Sequence, residues 1–311
     1  MNLNISRLLY GPATYIPGVY RYFSMGSGCA ESAEYCYTYW LRHLNMIFQK
    51  NGSVEYPKVI AELGPGSSLG IGIAALISGV EKYYALDIME HHDLSKNVEI
   101  FDELVALFKN KTEITLNDFY KEKDLSTFPK SVLTDKHLET ALNSDRLKQL
   151  REDIVHLPNA NESIQYCVPW YDSTVIKSNI VDTLISTVAL EHIDDLEQTY
   201  SSMYSWLKPN GIMSHVIDYS SHGSANEWNG HWAYSDFIWR VMRGNRSYFI
   251  NRQPHSEHIR LLEKYGFEFL CDLKFKETSN LKAADCAPRF RELSDEDLST
   301  IYGHILARKV A

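Results

Sequence analysis

Cysteine is scarce in this chain and never closely paired. The five residues, Cys29, Cys36, Cys167, Cys271 and Cys286, are scattered and form no Cys-x-x-Cys motif. This argues against a zinc ribbon and for a reducing compartment. No apolar run approaches the length of a membrane span, so no membrane association is expected. The first ten residues lack the basic region and long apolar run of a secretory signal, and a cytoplasmic location is expected. Positive charge is also in deficit. Lys and Arg number 31 against 40 Asp and Glu, a formal net charge of −9. A nucleic-acid backbone would be repelled on average, and no such partner is expected. Internal repeats and low-complexity segments are missing as well. What remains is a 311-residue chain with 44% hydrophobic residues. That is enough for a full core in one enlarged domain, or one domain with a small appendage.

The stretch Val59-Ile60-Ala61-Glu62-Leu63-Gly64-Pro65-Gly66-Ser67-Ser68-Leu69-Gly70 organises the rest. It reads as a short apolar strand, a glycine-rich turn and a helix start. Gly64 and Gly66 can take backbone angles closed to other residues and have no Cβ to hold a ligand away. The free amides of such a turn point at whatever sits above it. Residues 71–80 are apolar nearly all round, as a helix buried on a sheet would be. Lys82-Tyr83-Tyr84-Ala85-Leu86-Asp87 follows as a second strand ending in an acid. Asp87 lies about twenty residues past the turn, where an acid can accept hydrogen bonds from ribose hydroxyls.

Two ligands fit that pattern, a dinucleotide and S-adenosylmethionine (SAM). Glu62, placed at the mouth of the turn, separates them. A carboxylate there repels a pyrophosphate but tolerates the sulfonium and amino groups of SAM.

Upstream, Ser32 to Gln49 reads as a helix stopped by Asn51-Gly52. Its aromatic run, Tyr35 to Trp40, exceeds what one face needs. Either the helix packs on the core, or it caps the molecule and its aromatic side, Tyr37 included, walls a substrate pocket. After Asp87, about 75 residues separate the second strand from the next, far more than a simple crossover needs. Phe101–Lys109 and Lys136–Val155 read as helices of an insertion on top of the sheet, with no assigned chemistry. Ile164–Val168 is the third strand. Pro169-Trp170-Tyr171-Asp172 follows it, where an aromatic could cover an adenine and Asp172 accept its amine. The alternative is a turn with two half-buried aromatics. Val181–Ser186 is β-branched and apolar, as a central parallel strand should be. Leu190-Glu191-His192 follows, then a helix ended by Lys208-Pro209-Asn210-Gly211, then the strand Ile212–Asp218.

Taken together, Glu62-Leu63-Gly64-Pro65-Gly66, Asp87, Leu190-Glu191-His192 and Leu207-Lys208-Pro209-Asn210-Gly211 resemble the successive motifs of class I SAM-dependent methyltransferases. The resemblance covers roughly residues 57–218 apart from the insertion. It implies an α/β, Rossmann-like fold: a seven-stranded mostly parallel sheet with helices on both faces and an antiparallel pair at its edge. The implied organisation is an N-terminal helical cap over 1–56 and a SAM-binding domain over 57–311, with the insertion at about 91–160 and a substrate loop region at about 219–258. SAM is the implied cofactor and S-adenosylhomocysteine the product. The implied cofactor-binding set is Glu62, Gly64, Pro65, Gly66, Asp87, Ile88, Trp170, Tyr171, Asp172 and Thr187. The chain departs from the pattern twice: Ser68 stands where a third glycine is common, and no acid directly ends the third strand.

Beyond Asp218 the chain is rich in loops, aromatics and histidine. Five of its twelve histidines fall between His215 and His258. This segment leaves from the carboxyl edge of the sheet, where open α/β folds place their ligands. His222 and His231 are candidate general bases, with His192 third. Asp218, Trp228, Asn229, Trp232, Asn251 and Arg252, with Tyr37, are candidate substrate contacts. No His-x-x-x-His pair sits on a helix, so no metal is expected. Trp, Tyr, Asn and His in this abundance suit a small polyhydroxylated acceptor such as a sugar. The expected activity is O-methylation of that acceptor. A catalytically silent SAM-binding scaffold and an NAD-dependent oxidoreductase are the alternatives.

Overall fold

The computed structural model describes residues 10–16, 32–52, 55–88, 94–114, 125, 127–157, 159, 162–170, 172–246 and 248–310. In chain order, helix α1 (Ala33–Lys50) leads to β1 (Val59–Leu63), α2 (Gly70–Ile77) and β2 (Lys82–Leu86). Helices α3 (Leu94–Asn110), α4 (Asp135–Ala141) and α5 (Ser144–Val155) precede β3 (Ile164–Cys167) and β4 (Val181–Thr187). Then come α6 (Leu196–Trp206), β5 (Leu207–Asp218), α7 (Asp236–Arg243), α8 (His255–Lys264), β6 (Phe267–Lys276), α9 (Asp295–Ser299) and β7 (Thr300–Lys309).

The strands form one seven-stranded sheet in the order β3-β2-β1-β4-β5-β7-β6. The first five run parallel, and β7 lies antiparallel between β5 and β6. The fold is Rossmann-like, with the antiparallel edge that the resemblance implies.

Strand alternation divides the core in two. Ile60, Tyr83, Ala85, Ile185 and Leu306 face one side, against α1, α2, α3 and α5. Ala61, Leu63, Leu86, Leu184 and Ile305 face the other, against α6 and α8. The helices of residues 94–155 therefore pack beside α2 on one face. They do not stack on top of the sheet as the sequence reading has them, and Leu142-Asn143 splits the second into α4 and α5, with Asn143 capping α5.

Helix α1 starts at Ser32, whose hydroxyl accepts from the Tyr35 amide, and all its positions from Cys36 to Ile47 are buried. A polar seam ties it to the sheet. The His43 ring bonds Ser214 Oγ at 2.7 Å and Thr187 Oγ1 at 3.1 Å, and Ser214 Oγ bonds His304 Nε2 at 2.8 Å. On the opposite face Ser186 Oγ meets His215 Nδ1 at 2.7 Å. Burial holds His43 and His215 neutral, with pKa values lowered to about 3.

At the start of β5, Val181 pairs with Leu207 but Thr183 pairs with Ile212. Residues Lys208–Gly211 thus bulge from the ladder, with Asn210 left-handed at φ 64°. The turn read from Pro209 and Gly211 is this bulge.

Candidate active site

The carboxyl ends of β1, β2 and β4 meet at the glycine bend. Gly64 and Gly66 both adopt left-handed angles, φ 67° and 73°. The Gly64 amide donates to Leu86 O at 2.8 Å, which ties the bend to the end of β2. A Cβ on Gly64 would stand 2.6 Å from the Ala189 Cβ, so the bend touches the segment after β4. Asp87 is 7% exposed at the adjoining strand end. One of its oxygens accepts the Ile88 amide at 2.7 Å, and the other lies 3.4 Å from the Gly66 amide. That second contact is at the limit of a hydrogen bond and exchanges readily for a ligand hydroxyl. Ser67 Oγ is buried in the bend with no hydrogen-bond partner among the described residues. An orphaned hydroxyl, a left-handed glycine pair and a carboxylate at the next strand end fit an adenosyl amino-acid ligand: Asp87 for the ribose, the bend for the amino-acid end. Pro65 is buried in the same bend, and Ile88 is 37% exposed beside it.

Glu62 is not at the mouth of the bend. As the fourth residue of β1 it points to the α2 face, where it is 1% exposed. It accepts the Tyr83 hydroxyl at 2.6 Å, which reaches it because Gly72 leaves room: a Cβ there would lie 2.0 Å from the Tyr83 ring. Burial pushes its carboxyl up to about 7, against the Tyr83 hydroxyl and the Gly72 amide, which pull it down. Buried against Tyr83 on the α2 face, Glu62 does not separate a pyrophosphate from SAM. Ser68 Oγ accepts the Gly70 amide at 3.2 Å at the start of α2.

Three further expected cofactor contacts are directed elsewhere. Trp170 is 6% exposed and packs edge-on against Trp206, with centroids 5.6 Å apart, so its ring belongs to the core and covers no adenine. Asp172 spends Oδ1 on Thr174, at 2.8 Å to its amide and 2.6 Å to its hydroxyl, capping a short turn. The Thr187 hydroxyl is taken by His43. Tyr171 lies outside the described residues.

The residues expected to face an acceptor lie at and beyond the ends of β4 and β5. Val188, a β-branched residue, is left-handed at φ 54°, a strained angle of the kind that clusters at ligand sites. Leu190–His192 then makes one 3-10 turn. His222, itself left-handed at φ 44°, sets its Nε2 3.3 Å from Asp218 Oδ2 and its ring edge-on to His192 at 5.1 Å. Burial raises the Asp218 carboxyl, but the hydrogen bonds from His222 and Ser220 outweigh it and hold the group below its ordinary value. Burial lowers His192 to about 4. One ligand atom from each of Glu191, His192 and His222 lies within 4.8 Å of the others. The sequence reading named Glu191 only as part of a triplet; its bare carboxyl is visible only once the turn is folded.

The other expected substrate contacts and His231 turn out to be framework. His231 is 2% exposed, its ring 4.6 Å from Trp232, and burial and Arg252 lower it to about 3. No acceptor reaches it there. Trp232 is fully buried and donates to Arg252 O at 2.9 Å. Asn229 donates to Leu298 O and accepts from Ser279, and Trp228 donates to Thr278 O. Tyr37 is 1% exposed, donates to Thr112 O at 2.7 Å and packs on Phe108. Arg252 is 4% exposed, bonds Tyr234 O at 2.7 Å and Asp236 at 2.5 Å, and lies over Trp239 and Phe290.

Asn251, an expected substrate contact, spends its side chain on the backbone around the Leu190–His192 turn. Its Nδ2 donates to Leu190 O at 2.8 Å and Ile193 O at 2.7 Å, its own amide donates to Glu191 O at 2.7 Å, and its Oδ1 accepts from Gln253. Replacing it with Ala removes three side-chain hydrogen bonds. Asn251→Ala should lose about 3 kcal/mol of stability, read from urea unfolding.

No family model matches the chain, and no curated protein does. Solved structures do. Among the matches are several methyltransferases. A CurJ carbon methyltransferase is 13% identical, with a TM-score of 0.39, over 86% of this chain and 54% of its own. A SAM-dependent methyltransferase from Methanosarcina mazei is 12% identical, with a TM-score of 0.44, over 84% and 96%. Phosphoethanolamine N-methyltransferase 2 of Haemonchus contortus, solved with SAM, is 12% identical, with a TM-score of 0.43, over 89% and 57%. This chain thus spans little more than half of the first and the last. Likeness at this level carries no argument about activity.

Proposed function

We propose that the chain is a SAM-dependent methyltransferase that methylates a hydroxyl of a small polyhydroxylated metabolite, a sugar or a similar molecule. The observation that supports this reading is the glycine bend and Asp87 at the carboxyl ends of β1 and β2, with the His222–Asp218 pair at the carboxyl end of β5, two strands from β1. When bound, SAM supplies an electrophilic methyl on a sulfonium. Gly64, Gly66, Ser67 and Asp87 hold and orient it. The ends of β4 and β5 present the acceptor, and positioning of this kind supplies roughly 7–11 kcal/mol of the barrier. The His222 imidazole, steered by Asp218, takes the acceptor's proton.

The sheet also bears on the oxidoreductase alternative. Dinucleotide folds run their strands 3-2-1-4-5-6, whereas here an antiparallel β7 enters between β5 and β6. This order supports the methyl-donor reading after the Glu62 argument is lost.

Radiolabelled SAM with a panel of sugars and hydroxylated metabolites tests the proposal. The expected result is label on a small molecule; label on protein or nucleic acid alone contradicts it. His222→Ala should lower kcat by about 10²–10⁴-fold with KM little changed, while His231→Phe should act through stability and leave kcat of the folded fraction intact. A silent scaffold would bind the donor and transfer to nothing.

A further inference from the structure

Glu191 is 4% exposed, and among the described residues neither carboxylate oxygen has a hydrogen-bond partner. The Nδ1 of His192 beside it is likewise buried and bare. Buried polar groups are almost always satisfied, and leaving a carboxyl unpaired is expensive. Among the described residues the only help comes from the backbone amides of Glu191 and Asp218, neither in full hydrogen-bond geometry. Asn251 binds the Leu190, Glu191 and Ile193 carbonyls of the same turn, so the turn is held while its two side chains are left open. His222 converges on them from the loop after β5, held in a left-handed conformation.

We propose that Glu191, His192 and His222 bind a divalent first-row cation, of the zinc, cobalt or manganese kind, on the acceptor side of the crevice. Two imidazoles and one carboxylate are a donor set for such ions, and three protein ligands leave positions open for substrate oxygen. Magnesium and calcium favour all-oxygen shells and fit less well. Asp218, 3.3 Å from His222, plays the part of the carboxylate that commonly steadies a ligating histidine.

The use of the cation rests on the methyltransferase reading. An acceptor hydroxyl bound to it has a lowered pKa. Its O–H bond breaks with the proton passing to water and the oxygen staying on the cation. His222 is then a ligand, and the imidazole acts as base only in the cation-free protein. A neighbouring hydroxyl fills a second open position, which selects acceptors with adjacent hydroxyls.

The test is a titration of the chelator-stripped full chain with Co²⁺ alone, followed by visible d–d absorption and equilibrium dialysis. One Co²⁺ per chain is expected, displaced by Zn²⁺. Glu191→Gln and His222→Ala, checked for folding by circular dichroism, should each weaken binding more than about 100-fold. His156→Ala, an exposed histidine far from the cluster in sequence, should bind like the parent. Absence of Co²⁺ absorption in the parent, or undiminished binding in either cluster variant, overturns the proposal. No donor or acceptor is present in this titration, so failure of the methyltransferase reading leaves its outcome unchanged.

Discussion

Gly64→Ala should weaken S-adenosylhomocysteine binding by more than about 100-fold, a loss of about 2.7 kcal/mol. Two costs act at one atom. The residue sits at φ 67°, where an L side chain costs roughly 1–2 kcal/mol. The added Cβ also falls 2.6 Å from the Ala189 Cβ, closer than such atoms approach. Relief requires the bend and the segment after β4 to part, which moves Gly64 from the place proposed for the ligand. The Gly64 amide bond to Leu86 O, which positions Asp87, is disturbed by the same movement. Isothermal titration reads the affinity. Adding Ala189→Gly should restore part of it by removing the contact while leaving the backbone cost, a coupling that a double-mutant cycle isolates. Unchanged affinity in Gly64→Ala would mean that the ligand binds elsewhere.

The second large effect is acid lability. His43, His215, His231 and His258 are buried and held neutral, each lowered to about 3. His304 is lowered well below its ordinary value by burial and by its neighbours His43 and His215. In the unfolded chain these groups titrate near 6.5. Below that pH the unfolded state binds more protons, so stability falls as pH falls. Each histidine costs up to about 1.4 kcal/mol per pH unit. Two of them acting fully lose about 5 kcal/mol by pH 4.5, the scale of a whole domain's stability. Glu62 and Glu191 act in the opposite direction. Burial raises both, Glu62 to about 7, so their contribution is full below the unfolded carboxyl pKa and is lost as pH rises. The melting temperature should peak near pH 6.5 and fall steeply below pH 5.5. A flat profile between pH 4.5 and 7 would contradict the neutral-histidine account.

These effects show where sequence reading succeeds and where it stops. The bend at Gly64 and Gly66, the buried α2 and Asp87 at a strand end were legible because local chemistry dictates them: glycine for left-handed angles, apolar runs for buried elements. The seven-stranded, mostly parallel sheet with an antiparallel edge followed from the family resemblance, while its strand order came only from the structure. Glu62 was misplaced because a strand's pleat, and the gap left by Gly72 for Tyr83, decide which face an acid takes. Trp232, Asn229, Arg252 and His231 looked like site residues because the segment is rich in polar and aromatic groups. In the fold they bond backbone carbonyls and each other, satisfying a long loop that has little secondary structure of its own. The convergence of Glu191 and His192 with His222 was hidden because no local spacing rule joins residues on separate loops.

The central claim is that the crevice at the glycine bend and Asp87 is built for a sulfonium methyl donor. Calorimetric titration of the parent chain and of Asp87→Ala with S-adenosylhomocysteine and with NAD tests it most directly. The account predicts one S-adenosylhomocysteine per parent chain, affinity at least tenfold weaker in Asp87→Ala, and no heat from NAD. Binding of NAD without binding of S-adenosylhomocysteine would contradict it.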